Sequence, residues 1–141
     1  MSYQEKQAWV VFVPMVIAYT LYFGLLIGGH PAATDRFAML WLFGSIAGTQ
    51  GLIVLAAMTW LWWQARKSPR PRTDERDRAI AARASTMAYG VLLTAMLLVG
   101  VVMPFTEPPM KIINTALLGV VLAETVRSLV ILISYRRGWH G

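Results

Sequence analysis

FAMLWLFGSIAGTQGLIVLAAMTWLWW, residues 37–63, continues for 27 residues without a charged side chain. An α-helix rises ~1.5 Å per residue, so about 20 such residues cross ~30 Å of hydrocarbon. This run is long enough to cross with tilt or to extend into the interface. Three more runs flank it: residues 8–27, 84–105 and 112–135. Only the last carries charge, Glu124 and Arg127, three residues apart. Four apolar runs of spanning length predict an all-α membrane protein, a bundle of four transmembrane helices in one domain covering residues 1–141.

Composition points the same way. Hydrophobic residues make up 57% of the 141 and charged ones 14%, against ~25% charged in a soluble domain. No segment shows the strict alternation of a membrane β-strand, and no internal repeat is present. The chain has no cysteine, which removes disulfides, thiolate nucleophiles and thiolate-held metals. Its two histidines, His30 and His140, fall outside the spans, so no facing pair is available to hold haem. Span one is expected to be a retained helix, because its apolar run exceeds the ~7–15 residues of a signal-peptide core.

Placing the basic residues gives the topology. Lys6 precedes span one; Arg66, Lys67, Arg70, Arg72, Arg76, Arg78 and Arg83 lie between spans two and three; Arg136 and Arg137 follow span four. Only Arg36 and Lys111 lie on the other side. The positive-inside rule then puts both termini and the 64–83 segment in the cytoplasm, with the protein in the inner (cytoplasmic) membrane. Trp9, Trp60, Trp62, Trp63 and Trp139 fall near that interface and Trp41 near the outer one, where indole rings are favoured. The excess of positive charge is thereby a topology signal, and no direct nucleic-acid contact is expected.

Within the spans, polar residues are few enough to weigh singly. Gly44, Gly48 and Gly51 form a small-residue stripe on span two that reads as helix packing, with a dimer seam or substrate groove as the alternative. Measured from the cytoplasmic ends, Tyr19, Gln50, Thr94 and Glu124 all lie roughly 15–20 Å deep. They define either an interhelical network that fixes packing or a small polar site for a ligand or proton. Glu124 and Arg127 share a helical face and can pair, lowering a cost of at least ~2.5–3.5 kcal/mol for a lone charge in hydrocarbon. Arg127 could also snorkel toward lipid phosphates.

The cytoplasmic segment opens with a proline-punctuated basic linker, suited to an anionic lipid surface. Thr73 then caps a helix whose first turn holds Asp74, Glu75 and Asp77, signs that favour the helix dipole. Nothing breaks the pattern before span three, so one helix is expected from about Asp74 to Val102, its first three turns outside the hydrocarbon. Asp74 and Asp77 could share a cation, but Arg76 and Arg78 neutralise the site. No nucleophile–base pair is found, and the reading is a non-enzyme without metal or cofactor.

Asp74-Glu75-Arg76-Asp77, opening a helix that runs into Ala88-Tyr89, and Tyr135-Arg136-Arg137-Gly138, closing the last span, resemble uncharacterised families of small four-span prokaryotic membrane proteins. The resemblance covers roughly residues 70–138. Related groups are often encoded beside small helix-turn-helix regulators, so it implies a transcription regulator as a cytoplasmic partner. It implies no catalytic residues.

Two functions follow. In the first, the chain is a membrane adaptor or regulator that docks a cytoplasmic protein through Asp74, Glu75, Arg76, Asp77, Arg78, Arg83, Arg136 and Arg137. In the second, it is a dimeric proton-coupled transporter in which Glu124 titrates, with Arg127, Tyr19 and Gln50 lining the path.

Overall fold

The computed structural model describes residues 3–67 and 75–136. Among the described residues there are four long helices: α1 Tyr3–Ile27, α2 Arg36–Lys67, α3 Glu75–Leu97 and α4 Pro109–Arg136. α1, α2, α4 and the segment Glu75–Phe105 that α3 opens are each long and apolar enough to cross a membrane. Three of the apolar runs lie within α1, α2 and α4, and the third, 84–105, begins in α3 and ends in the turns that follow it. Helix is the form these runs must take, because hydrocarbon offers no partner for an unpaired backbone group.

The chain's punctuation marks the helix ends. After α1 the His30 amide donates to the Leu25 carbonyl and the Gly29 amide to Leu26. This is the Schellman pattern, and it places Gly29 at φ +83°, where a side chain would be strained. Asp35 caps α2 by accepting from the Phe37 amide at 2.9 Å. Beyond α3 the helix widens into a π turn over Leu98–Val102 and tightens into a 3-10 turn over Met103–Phe105. Pro104 accounts for the change: it has no N–H to donate, and its ring would collide with the Gly100 carbonyl in a regular helix. The expected helix to Val102 is present from Glu75, while Asp74 lies outside the described residues.

The helices pack as a row, α2–α1–α4–α3, each antiparallel to its neighbour. The tightest approach is between α3 and α4. A Cβ on Gly119 would come within 2.6 Å of the Ala95 Cβ, so only glycine lets these backbones come this close. At the end that holds the starts of α1 and α3, hereafter the basic end, a third contact closes the row. There Ala8, Ile80, Ala84, Ile131 and Leu132 form a buried cluster, bordered by Trp9, Phe12, Val130 and Tyr135. Ile80 and Ala84 are 0% exposed, so the first turns of α3 are docked on the equally long ends of α1 and α4.

The small-residue stripe of α2 meets no neighbour within this chain. Gly44, Gly48 and Gly51 do not bring helices together within this chain, since no atom lies within 4 Å of a Cβ built on any of them. α2 stands at the end of the row, and its main neighbour α1 takes another face, where Met39 is buried and Phe43 packs edge-on to Tyr22. Gly119 makes the close approach instead.

Candidate functional site

The mid-membrane residues do not converge. Thr94 is exposed and donates to the carbonyl of Gly90 in its own helix at 2.9 Å, as hydroxyls in apolar helices commonly do. Gln50 belongs to α2, which α1 and α4 separate from α3. Among the described residues, neither Tyr19 nor Gln50 hydrogen-bonds to another helix. Glu124 and Arg127 do pair, with Nη1 to Oε2 at 3.5 Å. Side chains in a helix lean toward its N-terminus, so Arg127 extends toward Glu124 and away from the basic end. That direction is opposite to the snorkelling considered from sequence.

The surroundings of this pair follow from its position on α4. Ile131, one turn beyond Arg127 on the same face, is buried in the cluster shared with α1 and α3. Arg127 and Glu124 lie further along that face, with 47% and 43% of their side-chain surface exposed. Past the junction, then, α1 and α3 part and leave a crease floored by α4. Tyr22–Asn114 and Gln4–Tyr135 fix the antiparallel register of α1 on α4. Tyr19 consequently sits about one to two turns further from the basic end than Glu124.

The cross-helix network lies elsewhere, near the opposite end. The Tyr22 hydroxyl donates to Asn114 Oδ1 at 2.8 Å. Asn114 Nδ2 in turn donates to the Met110 carbonyl at 3.1 Å and lies 3.6 Å from Met39 Sδ. These contacts join α1, α2 and α4. The signal was present in the sequence as an asparagine just inside the apolar run 112–135, but depth alone did not select it.

At the basic end the two charged motifs meet. The Tyr135 hydroxyl donates to Asp77 Oδ1 at 2.5 Å and lies 3.3 Å from Gln4 Oε1. A hydroxyl has one proton, so the Asp77 bond is the one Tyr135 donates. Asp77 and Tyr135 thus tie α3 to α4 above the apolar cluster, and Gln4 brings α1 alongside them. The Arg136 guanidinium lies 5.9 Å from the Trp9 ring centre, and Arg66 stacks over Trp62 at 3.7 Å, geometries favourable to a cation. Arg76 is half-buried, and its Nε has no hydrogen-bond partner among the described residues. Glu75, Arg78, Arg83 and Arg136 are exposed. Asp74 and Arg137 lie outside the described residues. The described residues bring together no group of three His, Asp or Glu side chains able to hold a metal.

Four long apolar helices with most of their charge gathered at one end define a multi-pass membrane protein. The family described as "Predicted membrane protein (DUF2178)" matches residues 15–139, and the chain belongs to that family, whose function is unknown. No curated protein and no solved structure matches the chain.

Proposed function

We propose that this chain is a non-enzymatic membrane adaptor that binds a cytoplasmic protein on its basic end. The observation that carries the reading is the Gln4–Asp77–Tyr135 junction. It joins α3 to α4 with Gln4 of α1 alongside, next to the apolar cluster that all three helices share, and the exposed charges of α3 and α4 are displayed around it. Surface charges held on rigid helices give directional steering and register to an incoming partner. The positive-inside rule assigns this end to the cytoplasm. The implied regulator partner fits a surface of mixed sign with an excess of arginine.

The transport reading draws less support. Glu124 and Arg127 open sideways from the row, and Tyr19, Gln50 and Thr94 do not join them around a common path.

Partner capture tests the proposal. Tagged protein is purified from native membranes in mild detergent, and the co-purifying soluble proteins are quantified by mass spectrometry. Replacing Arg78→Glu with Arg83→Glu reverses two exposed charges and avoids half-buried Arg76. A near-stoichiometric soluble protein reduced about tenfold or more by this pair supports docking; that loss equals ~1.4 kcal/mol. Undiminished capture, or no such protein, sinks it.

A further inference from the structure

We infer that the crease between α1 and α3 seats a second copy of this chain, with Glu124 and Arg127 of the two copies paired across a twofold axis along the membrane normal. The inference is independent of the adaptor reading and begins from a local deficit. Arginine offers five N–H donors and a carboxylate about four acceptor sites, yet one 3.5 Å contact is all that joins Glu124 to Arg127. Roughly half of each side chain faces out of the chain. Both residues lie about 13–18 Å along α4 from Arg136, deeper than the headgroups, and Arg127 leans away from the nearer leaflet. Hydrocarbon cannot satisfy these groups, and a lipid phosphate of that leaflet is out of reach.

A second copy can satisfy them. A twofold axis along the membrane normal leaves depth unchanged, so the partner's pair arrives at the same level. The two charges of each pair are about 4.5 Å apart along the helix, which lets each guanidinium reach both carboxylates. The interface is isologous and neutral in net charge. The rest of this face of α4 suits helix pairing. Ile113, Leu117, Val120, Glu124 and Arg127 are spaced alternately four and three apart, the spacing of a helix–helix seam, which ends where Ile131 is buried against α1 and α3. Ile113 and Val120 are about half exposed, so apolar contact is available above the charges.

The absence of cysteine makes the test direct. Val120→Cys and, separately, Gly48→Cys are introduced, and native membranes are oxidised. The inference predicts a disulfide-linked dimer with Val120→Cys and none with Gly48→Cys. Adding Glu124→Gln to Val120→Cys should lower cross-linking about threefold or more, in keeping with interhelical polar contacts in bilayers. Exchanging the charges, Glu124→Arg with Arg127→Glu, should restore it, a rescue that a misfolded single variant could not mimic. Cross-linking at Gly48→Cys alone would assign the second copy to α2 and overturn the inference. So would one-step photobleaching of labelled protein at low membrane density, or cross-linking indifferent to Glu124→Gln with no rescue needed.

Discussion

Tyr135 and Tyr22 make similar-looking bonds in different surroundings, and the difference fixes what their loss should cost. Tyr135 donates to a carboxylate at the basic end, and hydrogen bonds to charged groups contribute about 1.5–3 kcal/mol. Tyr22 donates to an amide within the spans, where such bonds average only ~0.6 kcal/mol because the unfolded chain in the membrane finds other partners. Reversible unfolding in mixed micelles should therefore show Tyr135→Phe destabilising by about 1.5–3 kcal/mol and Tyr22→Phe by under 1 kcal/mol. Equal losses would mean that the Asp77 contact is not the tie between α3 and α4. Asp77 and Tyr135 belong to the two motifs that carry the family resemblance, but only the fold shows that they meet. Residues 58 positions apart leave no periodic trace of their contact. Asn114 was legible as a residue type and not as a partner, for the same reason.

At the scale of helices, length and composition were enough to place all four, because a bilayer imposes one requirement on every span. The capping glycine and Asp35 mark the first hairpin as turn chemistry prescribes. Packing was less legible. Three glycines on α2 had the stronger small-residue pattern, whereas one, Gly119, makes the close contact. Spacing identifies a smooth face but not the neighbour that will use it, and α2 ended the row with that face outward. The contrast gives a paired prediction. Gly119→Ala forces a Cβ against Ala95 and should cost about 1–3 kcal/mol by overpacking, whereas Gly44→Ala meets open space and should change unfolding by less than about 0.5 kcal/mol. Both are read in the same mixed-micelle assay. A neutral Gly119→Ala would show that α3 and α4 can separate without loss.

For the whole molecule, the organising feature is asymmetry between its ends. Three helices close around Ala8, Ile80, Ala84, Ile131 and Leu132 at the basic end, with the Tyr135 junction and most of the described charge beside them. Toward the middle the row opens, and the Glu124–Arg127 pair is left in the crease. The charge count yields an expected sidedness without any knowledge of packing, because the positive-inside rule depends on where cations lie and not on how helices pack. Which helices would be neighbours had no such counting rule. A row and a closed bundle have the same spans and the same loops.

Docking at the basic end requires that end to face the cytoplasm, and sidedness is the most direct test. Single cysteines at Thr34 and Ala79, exposed positions at opposite ends, can be probed in intact cells with a membrane-impermeant thiol reagent. The account predicts labelling of Thr34→Cys in intact cells and of Ala79→Cys only after permeabilisation. Labelling of Ala79→Cys from outside, with Thr34→Cys protected, would put the charged platform on the wrong side and contradict it.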